Sequence, residues 1–569
     1  MHKKKDLIVR FAGDGGQGVV TSAEILAKSA AQAGFHVLTF ATFPSQIMGG
    51  PTWTQTRISL NEIHSSGDSV DILVALNEQA FDTHQSEMNS QGIILHDSAN
   101  KYESKINSLG IPLLELARQV GEPRAANMVL MGVISAISGL SINIFENFIT
   151  ERFKSKGPSV INPNLEALKL GMEFAKNSQI KFSKLPSISK EKEEDRIFIS
   201  GNEALSIGSI AAGLESFVGY PISPASTILI FMEQYLRGPN KFVYQGSSEI
   251  ESITSIIGSS YAGKKSMTAT AGPGFSLMSE GIGLAWMTEI PIVIADIQRG
   301  GPATGLPTKT EQSDLNIAIN PAHGDMSLPV IAPGTVEECF YAGAKALNWA
   351  ERYQGPVILL SEHNLSERKQ NIKKPDLENI KTENRQINIS KNGYARYNGT
   401  NVTPMPIPGK PGAYIANGSE HDPIGDTTHL ASRHVEMTNR RFNKLSVLND
   451  TFFEIENTEA SIIIMPWGGS KGPVYEAYKN IVDSNQDIGW AYTMFINPLP
   501  EELITILKTK KLVLVPELNA QGQFANILRS KGITAEAITQ YTGLPFKVSD
   551  LEKIIIKKSK SITLERKTK

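Results

Sequence analysis

Several stretches of the chain combine chemically useful residues with the glycines and prolines that would hold them in place. Gln298-Arg299-Gly300-Gly301-Pro302-Ala303-Thr304-Gly305-Leu306-Pro307-Thr308 follows directly on the apolar run that ends at Ala295-Asp296. An arginine held by glycines at the carboxyl end of a buried parallel strand offers a planar fork of donors, which suits bidentate capture of a carboxylate. Glu249 stands near the start of a segment in which Ile250, Ile253 and Ile256 recur at helical spacing. A carboxylate there serves as an N-terminal helix charge or, if buried, gains proton affinity and suits a hydrogen bond to a ring nitrogen. Tyr220-Pro221-Ile222-Ser223-Pro224-Ala225-Ser226 has its backbone fixed by two prolines, either as a plain rigid loop or to present the Ser223 hydroxyl and nearby amides at a strand end. Thr268-Ala269-Thr270-Ala271-Gly272-Pro273-Gly274-Phe275 puts small residues at another strand end, leaving room for a flat cofactor close to the backbone.

A further loop, Gly13-Asp14-Gly15-Gly16-Gln17-Gly18, separates a strand-like run from an alanine-rich helical one. Glycines there either admit an anion to the unpaired N–H groups of a helix start or merely tighten a turn. The dinucleotide reading needs an acid about 20 residues on to hold a ribose. Leu38-Thr39-Phe40-Ala41-Thr42 has none, so a different phosphate-bearing ligand fits better. A second glycine turn, Phe43-Pro44-Ser45-Gln46-Ile47-Met48-Gly49-Gly50-Pro51, is expected beside the first.

The elements that must position these loops alternate as in α/β proteins. Strands are expected at Leu7 to Phe11, Val37 to Ala41, Ile72 to Leu76 and Gly92 to His96, with a helix from Val19 to about Ala33 making a βαβ opening. The string Lys190-Glu191-Lys192-Glu193-Glu194-Asp195-Arg196 reads as a solvated linker. A second α/β unit is expected from Ile197, with helices from Glu203 to Phe217 and Ile250 to Tyr261, a buried strand from Pro291 to Ala295 and a last strand from Val357 to Leu360. Residues 365–450 are polar and rich in Gly, Pro and Asn, an excursion rather than a domain. A third α/β unit is expected from Ala460 to about Lys553, with strands at Ser461 to Met465 and Leu512 to Val515, and the basic tail after Lys557 is expected to be disordered.

At about 150 residues per domain, the 569 residues suggest three to four domains. With 40% hydrophobic and 20% charged residues the composition is globular. A net charge of −2 gives no electrostatic case for a nucleic-acid or membrane-surface partner. No apolar run approaches the ~18 residues of a membrane span, and the run Leu7-Ile8-Val9 is too short for a signal peptide, so a cytoplasmic location is expected. Cys339 is the single cysteine. One thiol cannot make an internal disulfide, a thiolate zinc site or an iron–sulfur cluster, so redox metal chemistry must come from another chain.

Taken together, the motifs resemble the alpha subunit of the 2-oxoacid:ferredoxin oxidoreductases, in the form whose gamma domain is fused at the N-terminus. The resemblance covers nearly the whole chain. It is most specific in Tyr220–Ser226, in Glu249 through Phe275, and in Arg299–Thr308 continuing into Glu311-Gln312-Ser313-Asp314-Leu315. The gamma-like part rests on Gly13–Gly18 and Phe43–Ile58, and the third unit on Trp467-Gly468-Gly469-Ser470-Lys471-Gly472 and Pro516-Glu517-Leu518-Asn519. It implies a multidomain α/β protein: a gamma-type domain associated with coenzyme A over 1–180, a charged linker over 181–197, and a thiamine-diphosphate pyrimidine-binding domain over 198–364. An extended Gly/Pro-rich excursion over 365–455, a transketolase C-terminal-like domain over 456–553 and a basic tail over 554–569 complete it.

The implied reaction is oxidative decarboxylation of a 2-oxoacid with coenzyme A to acyl-CoA, CO2 and two electrons for ferredoxin, with 2-oxoglutarate the first choice of substrate and pyruvate or branched-chain or aromatic 2-oxoacids the alternatives. Thiamine diphosphate would be shared with a beta subunit that carries the diphosphate and Mg2+ site and a [4Fe–4S] cluster, in an (alpha-beta)2 heterotetramer. Gly13-Asp14-Gly15 is not followed by the Asn-Asn of a diphosphate site, which agrees with that division. Glu249 would hydrogen-bond the aminopyrimidine N1′ and promote ylid formation. Arg299 would bind the substrate carboxylate, with Ser223, Pro224 and neighbouring amides holding the carboxylate or carbonyl. Gly272, Pro273 and Gly274 would line the thiamine pocket. Gly13, Gly15, Gly16, Gly18, Ser45, Gly49 and Gly50 would help bind coenzyme A. Ser223 stands where the family usually has Thr, Met48 where many relatives have a basic residue, and Ser247-Ser248 where an acidic pair is common. Two other readings stand beside this one: an NAD- or flavin-linked dehydrogenase, and a non-catalytic regulatory chain that binds coenzyme A or a nucleotide.

Overall fold

The computed structural model describes residues 6–42, 49–100, 102, 104, 106–178, 180, 182–186, 195–387, 389, 394–412, 414–484 and 487–565. Chain contacts divide it into two compact units, Met1–Ile199 with Arg368–Lys374, and Ser200–Glu367 with Pro375–Lys569.

The first unit is built on an eight-stranded sheet in the order Asn107–Ile111, Met88–Asp97, Val70–Ala75, Asp6–Asp14, Pro51–Ser59, His36–Thr42, Lys369–Lys373, Arg196–Ser200. The first four are parallel, and Pro51–Ser59 runs antiparallel to both its neighbours. Alternation puts Leu7, Val9 and Phe11 into one core with Leu26 and Ala30 of the helix Val19–Gln32. Asn371 explains how a segment so distant in sequence joins this sheet. Its amide accepts from the Val37 N–H at 2.8 Å and donates to the Phe35 carbonyl at 2.6 Å.

The second unit holds two sheets over one hydrophobic core. The larger runs Phe495–Asn497, Val330–Ile331, Pro356–Glu362, Ile292–Gln298, Ser266–Thr270, Ser216–Gly219, Phe242–Gln245. All are parallel except Phe495–Asn497 at the edge. The central strand Ile292–Gln298 is buried along its whole length, as a strand covered on both faces must be. From Ser216–Gly219 the chain passes outward to Phe242–Gln245 and returns on the other side at Ser266–Thr270, which creates a topological switch point where ligands of open α/β sheets bind. The smaller sheet is Glu454–Glu456, Ile488–Tyr492, Ile462–Ile464, Leu512–Glu517, Ala535–Thr539.

Several local expectations are corrected. Pro51–Ser59 intervenes between the first two strands, so they are not neighbours as a simple βαβ opening would have them. Arg196–Ser200 belongs to the first sheet and not to the second α/β unit. The expected helix to Phe217 is the helix Gly201–Ala211 followed by the strand Ser216–Gly219. Helix Val548–Glu565 carries through much of the tail expected to be disordered, because Leu551 and Ile555 give it a buried face. Among the described residues no helix is long and apolar enough to cross a membrane.

The polar stretch after residue 374 is held by charge as well as by apolar packing. The fully buried Glu289 lies 2.9 Å from Arg440 Nε, 3.2 Å from Lys444 Nζ and 3.7 Å from Arg396 Nη1, all three likewise buried. Burial alone would raise the Glu289 carboxyl, but Lys444, Arg396 and Arg440 together hold it well below the usual carboxylate range. Burial in turn pushes the Lys444 ammonium down to about 7 against the pull of Glu289. Glu289→Gln is expected to cost about 3–5 kcal/mol, since it leaves three buried cations without their counter-charge. Denaturant unfolding of the variant checks this, and a loss below about 1 kcal/mol would show that the cluster does not hold the segment.

Candidate functional site

Five adjacent parallel strands of the larger sheet deliver the candidate residues to one edge. Ser216–Gly219 leads to Ser223, Phe242–Gln245 to Glu249, Ser266–Thr270 to Gly272–Gly274, Ile292–Gln298 to Arg299, and Pro356–Glu362 to His363. All therefore lie at the carboxyl ends of their strands.

Glu249 is the first residue of the helix Glu249–Tyr261, and Ser248 caps that helix by accepting from the Glu251 N–H at 3.1 Å. With the helix end already capped by another side chain, Glu249 turns inward and is buried. Ile253 and Ile256 face the core as expected, whereas Ile250 is 55% exposed. A Cβ on Gly274 would collide with Thr270 Oγ1 and come within 2.5 Å of Glu249 Oε1, so only glycine lets the carboxyl lie against this turn. Pro273 occupies the first turn of the helix Gly272–Leu277, where its missing N–H costs nothing. Gly272 makes the same kind of room on its other side: a Cβ there would lie 2.7 Å from Asp314 Oδ2.

Arg299 is buried, and its Nη1 donates to the Ser223 carbonyl at 2.7 Å. Its Nε has no hydrogen-bond partner among the described residues. The loop behind it closes on itself, with the Gly300 N–H donating to the Lys309 carbonyl at 3.1 Å and the Leu306 N–H to the Gly300 carbonyl at 2.8 Å. Ser223 meets Arg299 through its main chain, and its side chain is exposed. Pro224 is buried, and its carbonyl accepts from Asn202 Nδ2 at 3.0 Å. Burial lowers the Arg299 guanidinium from its ordinary value, with Asp314 pulling the other way.

The reading of the residues alone gave no role to three ionisable groups at this edge. Asp296 is fully buried at the end of its strand, and burial together with Asp314 raises it well above the usual carboxylate range. Burial and Glu311 push Asp314 up to about 6. His363 follows directly on the strand Pro356–Glu362, whose last pair is Gln298 with Glu362, and opens the short helix His363–Glu367. Burial, with the positive charges of Lys309 and Arg299, pushes its ring down to about 4 and keeps it neutral. The signal for it was available: Ser361-Glu362-His363 is a polar trio directly after an apolar strand.

In the first unit the two glycine turns meet, the Gly15 N–H donating to the Gly50 carbonyl at 3.1 Å. Gly13 lies within the strand, paired with Thr52, so the loop proper begins after Asp14. Gly16, Gly18, Gly49 and Gly50 all have left-handed φ values, 98°, 84°, 77° and 81°. The missing Cβ of Gly18 leaves space for the Asn127 amide. Among the described residues no side chain caps the helix Val19–Gln32 there and no acid stands in its first turn, a helix start of the kind that suits an anion. Ser45 and Met48 lie outside the described residues. Among the described residues no group of three or more His, Cys, Asp or Glu could hold a metal ion.

Comparison with known proteins places this geometry in context. A family model described as pyruvate flavodoxin/ferredoxin oxidoreductase, thiamine diphosphate-binding, matches residues 207–440, and one described as pyruvate ferredoxin/flavodoxin oxidoreductase matches residues 8–174. The 2-oxoglutarate oxidoreductase subunit KorA of Mycobacterium tuberculosis is 30% identical, over 97% of this chain and 91% of its own. The alpha subunit of 2-oxoacid:ferredoxin oxidoreductase 2 of Aeropyrum pernix is 28% identical, over 92% and 93%. A solved structure of 2-oxoglutarate:ferredoxin oxidoreductase from Magnetococcus marinus, with 2-oxoglutarate, coenzyme A and succinyl-CoA bound, superposes with a TM-score of 0.93 at 36% identity, covering 98% of this chain and 100% of that one.

The neutral His363 carries a stability consequence. Between about pH 6.5 and 4 the unfolded chain binds a proton that the folded one refuses, so His363 makes stability fall as pH drops through that window, by up to about 3 kcal/mol. In denaturant unfolding from pH 4.5 to 7, His363→Gln is expected to lose less stability on acidification than the parent chain. Equal slopes would mean that the ring protonates freely in the folded state.

Proposed function

The chain belongs to the 2-oxoacid:ferredoxin oxidoreductases as their alpha subunit, and from that premise we propose that its substrate is 2-oxoglutarate. The relatives named for 2-oxoglutarate support that choice over pyruvate and over branched-chain or aromatic 2-oxoacids. The reaction is then 2-oxoglutarate plus coenzyme A giving succinyl-CoA and CO2, with two electrons passed to ferredoxin. We further propose that the partner is a beta subunit carrying the diphosphate site, Mg2+ and a [4Fe–4S] cluster, in a cytoplasmic (alpha-beta)2 assembly. A single buried cysteine in this chain supports the assignment of the cluster to a partner.

The observation that carries the reading is the buried Glu249 carboxyl held against Gly274 at the switch point of the larger sheet. The residues present fit thiamine diphosphate: a buried acid to meet a ring nitrogen, and a glycine turn that a single Cβ would fill. Glu249 would hold the aminopyrimidine at N1′, with Gly272, Pro273 and Gly274 lining the ring. Bound there, thiamine diphosphate supplies nucleophilic and electron-sink chemistry at the 2-oxo carbon. Arg299, its Nη1 anchored on the Ser223 carbonyl and its Nε unpartnered among the described residues, would bind the substrate carboxylate. Ser223 and Pro224 would shape the other wall of that subsite. In the first unit, Gly13, Gly15, Gly16, Gly18, Gly49 and Gly50, with Ser45, would receive a phosphate of coenzyme A at the start of the helix Val19–Gln32.

The test is anaerobic co-expression with a cysteine-bearing beta chain, followed by viologen reduction over a panel of 2-oxoacids with and without coenzyme A. Reduction that requires both 2-oxoglutarate and coenzyme A is expected, and a clear preference for pyruvate would overturn the substrate. In the same complex Glu249→Gln is expected to lower turnover by at least about 100-fold while leaving the fold and the beta-chain association intact. Arg299→Ala is expected to raise KM for the 2-oxoacid by about ten-fold or more, with a much smaller change in KM for coenzyme A. Equal effects on both constants would make Arg299 a structural residue.

A further inference from the structure

The loop that carries Arg299 brings a second cation to the same strand edge. The strand-end stretches 220–226, 246–249, 271–274 and 299–314 contain two basic residues between them, Arg299 and Lys309. Their main chains are neighbours, because the Gly300 N–H donates to the Lys309 carbonyl at 3.1 Å. The Lys309 N–H in turn donates to the Leu306 carbonyl at 3.1 Å, and Gly300 and Leu306 form an antiparallel bridge. The next residue is fixed as well. The Thr310 N–H donates to the Gly543 carbonyl at 3.2 Å, and its hydroxyl accepts from the Asn364 N–H at 3.4 Å. Gly543 also seats the lysine stem, since a Cβ there would lie 2.8 Å from Lys309 Cβ and 3.2 Å from its Cγ.

A cation so firmly placed has no counter-charge. Lys309 is half-buried, and no carboxylate among the described residues acts on its ammonium, which burial alone lowers from its ordinary value. Buried basic groups elsewhere in this unit are matched: Arg440 and Lys444 by Glu289, Arg385 by Glu351, and Lys471 by Glu338 and Glu454. His363, directly before Asn364, feels the positive charges of both Lys309 and Arg299, so the two cations converge on one neutral ring.

We propose that Lys309 receives the second carboxylate of 2-oxoglutarate while Arg299 holds the first, and that it thereby selects a dicarboxylic over a monocarboxylic 2-oxoacid. The inference rests on the substrate and on the role of Arg299 proposed above. 2-Oxoglutarate differs from pyruvate and from branched-chain or aromatic 2-oxoacids in its distal carboxylate. Withdrawing that group from water without a partner is costly, and the fork of Arg299 is taken by the carboxylate next to the oxo carbon. An ammonium is a compact point charge that accepts a carboxylate without demanding a planar approach. A monocarboxylic substrate leaves Lys309 half-buried and unanswered, so one group both attracts the dicarboxylate and disfavours its competitors.

The experiment uses the complex with its beta chain and follows viologen reduction. It reads KM for 2-oxoglutarate, KM for coenzyme A, and the inhibition constant of 2-oxobutyrate, a monocarboxylic 2-oxoacid, against 2-oxoglutarate. Lys309→Met, which keeps the stem and removes the charge, is expected to raise KM for 2-oxoglutarate by about ten-fold or more. The constant for 2-oxobutyrate is expected to change by less than about three-fold, and Lys309→Arg to restore most of the loss. Lys309→Gln, equally uncharged, is read in parallel, and retention of the beta chain shows that each variant is folded. A change by the same factor for both 2-oxoacids, no change for either, or an effect confined to coenzyme A overturns the proposal. Arg299→Ala is run alongside and is expected to weaken both 2-oxoacids alike. If the parent complex prefers pyruvate, the substrate reading fails and this one with it. If the parent prefers 2-oxoglutarate and Lys309→Met keeps that preference, only the role of Lys309 fails.

Discussion

One buried amide holds the candidate-site edge of the larger sheet in place. The Gln312 side chain donates from Nε2 to the Trp467 carbonyl at 2.8 Å and accepts at Oε1 from the Leu518 N–H at 3.0 Å. Its main chain donates to the Leu518 carbonyl at 2.7 Å and accepts from Asn519 Nδ2 at 3.0 Å. Every polar group of this residue that can bond across to the smaller-sheet layer does so, out of contact with water. The constraint propagates on both sides. Upstream it tethers the loop that returns from Arg299, and downstream it fixes Ser313 and Asp314, with Gln523 donating to the Ser313 carbonyl at 2.7 Å and accepting from the Asn316 N–H at 2.9 Å.

Glu517 supports the same joint from below. It is fully buried and receives the N–H groups of Phe524 and Ala525 at 2.9 and 3.1 Å, together with Asn519 Nδ2 and Trp467 Nε1. Burial still raises this carboxyl above its ordinary value, since desolvation outweighs the four donors. The C-terminal layer thus does more than cover apolar surface. Its strand-end loops grip the segment that carries Asp314, so the candidate-site edge of the larger sheet and the third α/β layer form one mechanical piece.

Much of this was legible in the sequence, because parallel strands buried on both faces leave near-continuous apolar runs and their ends leave glycine and proline. The Gly272–Gly274 turn and the Arg299 loop lie where such patterns put them, whereas the inward turn of Glu249 was left open by its own segment. Long-range pairings were not legible. Pro51–Ser59 mixes threonines and polar residues, since it sits between two strands and owes its place to pairing rather than to hydrophobicity. Lys369–Lys373 joins the first sheet through contacts such as those of the Asn371 amide and the Thr39 hydroxyl, which local periodicity cannot announce. The Gln298 amide ties Asp314 beside the strand that carries Asp296, and neither aspartate looks unusual within its own segment.

The anchoring of Arg299 on the Ser223 carbonyl has a consequence for variation at that position. An acceptor that belongs to the main chain is present whatever side chain the residue carries, so exchanging serine for threonine leaves the arginine's mooring untouched. The hydroxyl, or the methyl that would accompany it, lies exposed and takes no part in that anchor. Under the role proposed for Arg299, the anchor of the arginine and the exposed side chain at position 223 belong to different atoms of one residue, so the second can vary without disturbing the first.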